Sequence, residues 1–214
     1  MVEYGSKISD RTTEVKESHA LSRFIPLNLQ VQANRLGQDG SSIAIVANQY
    51  EEMTSEIQNE MIKFTEASQV VAEMIEKAQF IVSAGLLGKE VIEFFKKETV
   101  NEHINSETEI KILDHLLKNI HIDCKNTLLA VSEVFSKLKT VNDSLTQLIT
   151  GLEIVRLTGR TEVAKINTNR KIFESLIEDL SKFRESLKVS LQEVDDLSII
   201  LKNLSDDILN HCKI

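Results

Sequence analysis

The sequence is poor in the residues that form turns and broad aromatic cores. Its 214 residues include one proline, seven glycines, eight phenylalanines, two tyrosines and no tryptophan. A β-sandwich or an α/β fold of this length needs a turn signal about every ten positions and many β-branched or aromatic strand segments. Low aromatic content instead favours narrow seams between helices. The composition therefore predicts an all-α protein.

Positive charge and cysteine are also scarce. The chain has 25 basic and 33 acidic residues, a formal net charge of −8, which argues against nucleic acid or an anionic membrane as the main partner. Cys124 and Cys212 are too few and too far apart for a disulfide framework, so we expect free thiols. These features are typical of a cytoplasmic protein.

Long apolar runs are absent. The longest nearly uncharged run, residues 78–88, is too short to cross a bilayer. Residues 1–20 carry charges throughout and lack the apolar core of a secretion signal. We therefore expect no membrane insertion.

Residues 43–85 carry apolar side chains at alternating spacings of three and four, the heptad pattern of a helix buried along a narrow seam. The members are Ile43, Val46, Tyr50, Met53, Ile57, Met61, Phe64, Val71, Met74, Ala78 and Ile81. The pattern predicts one helix from about 42 to 98, with Gly85 and Gly88 as weak points. At about 1.5 Å per residue this helix is roughly 85 Å long.

A turn is predicted immediately before this helix. Gly37 and Gly40, spaced by two residues, form a strong helix stop. The preceding residues are less regular, and Pro26 fits either the first turn of a helix or a kink in a longer one. We expect a helical hairpin over about 20–98 with its turn at 37–41, followed by a connection at about 99–106.

From Leu113 to the end of the chain, two heptad positions are mostly apolar, and only the stretch 159–169 is poor in apolar residues. The pattern permits one helix of about 100 residues, which the unbroken heptad phase favours, or a second hairpin. We favour a hairpin over about 107–212 with its turn at 167–169, because asparagine tolerates the left-handed backbone of a helix end. A turn at 141–144 is a second possibility.

Residues 27–47 resemble the hairpin tip of methyl-accepting chemotaxis receptors. The matching residues are in register without a gap: Leu27, Asn28, Ala33, Arg35, Gly37, Gly40, Ala44, Val46 and Ala47. A weaker internal repeat aligns residues 157–166 with 27–36. It pairs Glu162 with Gln32 and Lys165 with Arg35.

This resemblance implies signalling rather than catalysis. It implies an elongated antiparallel four-helix bundle or coiled coil of two long hairpins, with both turns at one end. The expected function is that of a bacterial, cytoplasmic, chemoreceptor-like signalling or scaffold protein. Its expected partners are a histidine kinase and its coupling protein or other receptors, and it could form a homo-oligomer.

The resemblance also implies a set of interaction residues. Those at the tip are Asn28, Gln32, Arg35, Gly37, Gln38, Gly40 and Ile43, and their counterparts in the repeat are Thr158, Glu162 and Lys165. The chain departs from the family pattern at Gln32 and Gln38, where the family has glutamate, at Ser41, where it has arginine, and at Ile43, where it has phenylalanine. The long arms lack a methylation pattern, so adaptation by methylation is not expected.

Other functions are less well supported by the residues. His115, His121 and Cys124 do not share one helix face, so we expect no metal site. No phosphate-binding loop, nucleophile elbow or paired-cysteine motif indicates an enzyme or a cofactor. Two alternatives stay open: a helical-bundle adaptor or sensor unrelated to chemotaxis, and a helical pore-forming protein that uses residues 78–88.

Overall fold

A computed structural model describes residues 2–97, 106–166 and 168–211, and every regular element in these ranges is helical. A short 3₁₀ turn at Gly37–Gly40 joins the second helix to the third. The helices are α1 (Val2–Ser22), α2 (Phe24–Arg35), α3 (Ser41–Lys97), α4 (Ser106–Ala164) and α5 (Arg170–His211). The prediction of an all-α protein is confirmed. Within these ranges no helix is long and apolar enough to cross a membrane. The connection expected at about 99–106 falls almost wholly outside the described residues.

The long helix α3 follows the heptad pattern of the sequence closely. It has 57 residues and runs without interruption through Gly85 and Gly88. A Cβ atom at Gly88 would lie 2.6 Å from the Cδ2 atom of Leu117 in α4. The two glycines therefore lie where α3 and α4 approach each other closely, and they do not break the helix.

The N-terminal arm, formed by α1 and α2, begins earlier than the sequence predicts. The first hairpin was expected from about residue 20, whereas α1 begins at Val2. Its buried face mixes Ile8 and Val15 with the hydroxyl residue Thr12. The Thr12 hydroxyl donates to the Ile8 carbonyl (2.8 Å) and lies 3.1 Å from the Ser68 hydroxyl of α3. A helix face built partly from hydroxyl side chains has a weak hydrophobic pattern.

Pro26 lies in the first turn of α2. Arg23 separates α1 from α2, and Pro26 is the third residue of the new helix, where its missing N–H leaves no internal hydrogen bond unmade. Its side chain is buried. Arg23 keeps helical dihedral angles (φ −59°, ψ −24°), so Pro26 both lies in the first turn of α2 and follows an interruption in an otherwise helical path.

The second half of the chain contains two helices. α4 ends at Ala164 and α5 begins at Arg170, so the chain leaves the helix within 165–169. Asn169 has a φ of 59°, the left-handed conformation that asparagine tolerates. The alternative turn at 141–144 is wrong, because α4 passes through those residues.

The helices pack around a shared core. α3 packs along α4, α4 along α5, and the N-terminal arm contacts both α3 and α5. Ion pairs join Arg11 of α1 to Glu193 of α5 (2.5 Å) and Lys139 of α4 to Asp195 of α5 (3.2 Å). All five helices contribute to the main core, for example through Ile8, Leu29, Phe64, Leu145 and Leu187.

The α3–α4 pair extends beyond the other helices. The ideal Cβ position of Gly5, near the start of α1, lies 3.2 Å from the Ile75 side chain, and Ile208 of α5 packs with the small core cluster of Ala78, Cys124 and Leu128. Past this cluster, α3 and α4 continue as a two-helix projection, residues 83–97 and 106–121. The main core does not reach this projection.

Candidate interaction site

The turn between α2 and α3 depends on two glycines with different roles. The Leu36 N–H donates to the Ala33 carbonyl (3.1 Å), and Gly37 follows with a φ of 60° in open space. This is the usual place for glycine after a helix end. Gly40 is buried, and a Cβ atom there would overlap the Ala33 carbonyl oxygen. Gly37 therefore adopts the left-handed backbone conformation that the turn requires, and Gly40 allows α3 to approach α2 closely.

The residues expected at this tip divide into a surface group and a buried group. Asn28, Arg35 and Gln38 are exposed, and Gln32 is half-buried. Ile43, by contrast, is fully buried in the main core. Ile43 can support this surface, and the polar side chains form it.

Exposed apolar side chains also lie on this tip, and the resemblance did not single them out as interaction residues. Leu27 and Val31 lie on one face of α2, four residues apart, and Ile45 lies on α3. Between the two helices, the Gln30 amide donates to the Asn48 side-chain oxygen at 2.9 Å. The i,i+4 spacing of Leu27 and Val31 was a detectable signal, but their exposure depends on how α2 packs.

The counterpart residues of the internal repeat lie at the end of α4. Thr158 and Lys165 are exposed, and Glu162 is half-buried. The Lys165 ammonium lies 2.6 Å from a Glu162 carboxylate oxygen, an i,i+3 ion pair. An exposed pair of this kind stabilises a helix by only about 0.2–1 kcal/mol. The ion pair places two opposite charges beside the second turn, the segment between α4 and α5.

Gly159 brings three helices together next to both turns. A Cβ atom at this buried glycine would lie 2.7 Å from Cδ1 of Ile177 in α5 and 3.1 Å from Cγ1 of Val46 in α3. Val46 follows the first turn by six residues, and Ile177 lies about two helical turns after the start of α5 at Arg170. The first turn and the second turn therefore lie at the same end of the molecule.

The sequence patterns did not indicate a charged network that lies on α4 before these residues. The Glu153 carboxylate accepts two hydrogen bonds from Arg156 (2.5 and 2.9 Å) and forms an ion pair with Arg184 of α5 (3.1 Å). Hydrogen bonding to Arg156, together with the charge of Arg184, holds the pKa of Glu153 below its usual value. The network joins α4 to α5 and lies away from both turns.

The histidine and cysteine residues of α4 remain apart. His115 and His121 are exposed, whereas Cys124 is buried in the small core cluster. In the part of the chain that the structure describes, no three metal-ligating side chains lie close enough to bind one ion.

Two adjoining grooves follow the seam between the N-terminal arm and α3. Their volumes are about 390 and 300 Å³, and both are lined by Ala20, Arg23 and Gln58. The larger groove lies beside Phe24, which is exposed at the start of α2. Leu27 lines the larger groove, which therefore adjoins the tip.

We expect the buried residue Tyr50 to make the stability of the protein depend on pH in the alkaline range. Burial raises the pKa of Tyr50 above its usual value near 10, and the nearby Thr54 and Ser22 hydroxyls offset this only in part. The unfolded chain therefore loses the Tyr50 proton before the folded chain does, and stability falls as pH rises above about 10. We expect Tyr50→Phe to remove this component in urea unfolding between pH 8 and 11.

Tyr4→Phe is the matched control, because Tyr4 is the other tyrosine of the chain and is only half-buried. Its free energy of unfolding should follow that of the wild type across the pH range. Parallel curves for the wild type and Tyr50→Phe would show that Tyr50 does not contribute.

Comparisons of the chain with protein-family models, curated proteins and solved structures give no match. The interpretation of the site therefore depends on its own residues and their geometry.

Proposed function

We propose that this chain is a non-enzymatic, cytoplasmic, chemoreceptor-like signalling or scaffold protein. Its two helical hairpins would form an elongated antiparallel four-helix bundle that contacts partner proteins through the end carrying both turns. The packing of Val46 and Ile177 against Gly159 is the observation that carries this proposal, because it joins both hairpins beside their turns.

The side chains at this end suit a protein contact. Hydrogen-bonding groups on Asn28, Gln32 and Gln38 lie on the same tip as the exposed apolar residues Leu27 and Val31. A mixture of apolar and neutral polar groups is common at the centre of protein interfaces, where charged residues are depleted.

The partners that we propose are a histidine kinase with its coupling protein, or other receptors. Gln32 and Gln38 replace two family glutamates, so this tip carries less negative charge than the family's. A partner surface would therefore recognise amide groups and the Arg35 guanidinium. An adaptor or sensor unrelated to chemotaxis would use the same surface, and the identity of the captured partner separates the two functions.

The test is affinity capture from the native host with a tip variant, Arg35→Ala with Gln38→Ala. Both positions are exposed, so we expect the variant to keep the wild-type circular dichroism spectrum. Loss of the charged and amide contacts should reduce the recovered partner at least tenfold, which corresponds to about 1.4 kcal/mol.

Lys188→Ala with Gln192→Ala is the matched control, because it also removes one cationic side chain and one glutamine from exposed positions, here in the middle of α5. This control should capture as much partner as the wild type does. Equal recovery by the wild type, the tip variant and the control would mean that the tip is not the interaction site.

A further inference from the structure

The outward face of α3 changes character along the helix. In one heptad register, residues before position 80 are mostly polar or charged, namely Ile45, Gln49, Glu52, Glu56, Asn59, Lys63, Glu66, Val70, Glu73 and Lys77. From position 80 to position 94, every residue in the same register is apolar: Phe80, Ala84, Leu87, Val91 and Phe94. We call these five residues the outer stripe.

The three largest side chains of the outer stripe are exposed although the stripe has the spacing of a helix-packing seam, and Ala84 and Val91 are half-buried. Phe80, Leu87 and Phe94, each seven residues apart, are 75%, 63% and 61% exposed. Apolar residues at alternating spacings of four and three normally pack against another helix. Single exposed apolar residues are common, but a contiguous stripe of them marks an interaction surface.

The neighbouring face of α4 extends this apolar surface. Leu117 packs at Gly88, which places Ile112 and Leu116 of α4 alongside Leu87 and Val91 of α3. Ile112 is 58% exposed and Leu116 is 51% exposed. The surface therefore covers the outer side of the two-helix projection, at the end of the molecule opposite the two turns.

We propose that a second copy of this chain covers the outer stripe, with the two α3 helices antiparallel and Leu87 at the two-fold axis. In this arrangement Phe80 packs against Phe94 of the second copy, and the small Ala84 lies opposite Val91. The stripe is thus complementary to itself in size, as a two-fold interface requires.

Charge complementarity supports the antiparallel direction. Glu76 and Lys97 are exposed and lie on the same edge of the outer stripe, one near each end. Antiparallel pairing centred on Leu87 brings Glu76 of each copy within one residue of the level of Lys97 of the other. A parallel two-fold arrangement would instead place the Glu76–Lys97 edges of the two copies on opposite sides of the interface, so this attraction would be lost.

The apolar area indicates a weak dimer. The five large exposed side chains on α3 and α4 each contribute on the order of 100 Å², so two copies bury roughly 1,000 Å² of apolar surface. Stable protein interfaces begin at about this size. We therefore expect a dimer with a dissociation constant of about 1–100 µM.

Sedimentation velocity from about 1 to about 200 µM tests the interface, because this range spans the expected dissociation constant. The wild type should shift from monomer to dimer with concentration. Leu87→Glu keeps good helix propensity but places two carboxylates at the two-fold axis, so it should weaken dimerisation at least tenfold.

Ile154→Glu is the matched control, because Ile154 is 66% exposed on α4 and lies outside the projection. It should dimerise like the wild type. Equal weakening by both substitutions would overturn the assignment of the outer stripe.

A charge swap tests the antiparallel register. Glu76→Lys and Lys97→Glu should each weaken the dimer, and the double variant should restore it, because the opposite charges meet again. Failure of the double variant to recover would contradict the antiparallel arrangement.

The experiment also distinguishes self-association from lipid binding. A wild type that stays monomeric up to 200 µM, or that instead sediments with phosphatidylcholine–phosphatidylglycerol vesicles in a Leu87-dependent manner, would overturn the proposal. The outer stripe lies far from the two turns. A negative result for the dimer would therefore leave the capture experiment at the tip unaffected, and a negative capture experiment would leave the dimer proposal unaffected.

Discussion

Gly40→Ala is expected to lower the free energy of unfolding by about 3 kcal/mol or more. A Cβ atom at this position would overlap the Ala33 carbonyl oxygen, and because the obstacle is backbone it cannot move aside by a change of rotamer. Relief of the overlap requires α2 and α3 to separate at the tip. Urea unfolding followed by circular dichroism measures the loss.

Gly37→Ala is the control within the same turn. Its Cβ atom would meet nothing within 4 Å, so the substitution costs only the strain of a left-handed backbone, about 1–2 kcal/mol. The difference between the two alanine variants therefore isolates the close approach of the helices. Equal losses would contradict the packing of Gly40 against Ala33.

Phe173→Ala is expected to lower the free energy of unfolding by about 3–5 kcal/mol. Phe173 is fully buried in the first turn of α5 and belongs to the main core that all five helices share. Removal of its ring leaves a cavity between the hairpins in addition to the lost apolar transfer energy. Thermal and urea unfolding would both report the change.

The adjacent residue Ile172 provides the matched control. It is 44% exposed, so Ile172→Ala should cost about 1 kcal/mol or less. A large loss at Phe173 with a small loss at Ile172 is expected only if α5 packs in the orientation described. Similar losses at both positions would show that the turn at 165–169 directs the wrong face of α5 into the core.

The sequence predicted α3 well because its signals are strong and local. The heptad pattern placed the helix at about 42 to 98, and the structure has Ser41–Lys97. The start follows from Gly37 and Gly40, which interrupt the helical pattern immediately before Ser41. The bounds of a long periodic helix that follows a glycine stop can be predicted without knowing which helices pack against it.

Other elements could not be located so closely. The heptad phase continues across 165–169, so the end of α4 was indicated only by the apolar-poor stretch 159–169 and by the preference of asparagine for left-handed backbone. The start of α1 was missed because Thr12 contributes to the core through a hydroxyl contact with Ser68, which is distant in sequence. Such a contact becomes visible only when the two helices are placed side by side.

The sequence predicted where the candidate site lies, but it predicted only in part which side chains form its surface. The glycine spacing located the tip, whereas the burial of Ile43 and the exposure of Leu27 depend on which side of each helix meets the core. Exposure along the outer stripe likewise depends on where α1 and α5 end. Heptad spacing alone marks a seam and does not say whether a partner is present.

The proposed function requires the two turns to lie at the same end of one bundle. Double electron–electron resonance between spin labels at Gln38→Cys and Thr168→Cys tests this directly, in a background with Cys124→Ala and Cys212→Ser. Neighbouring helix axes lie about 8–10 Å apart, so with the label arms we expect a distance of about 20–30 Å. A control pair at Gln38 and Glu76 should give about 55 Å, because helix α3 separates the two positions. A distance of roughly 80 Å between Gln38 and Thr168 would place the turns at opposite ends and contradict the account.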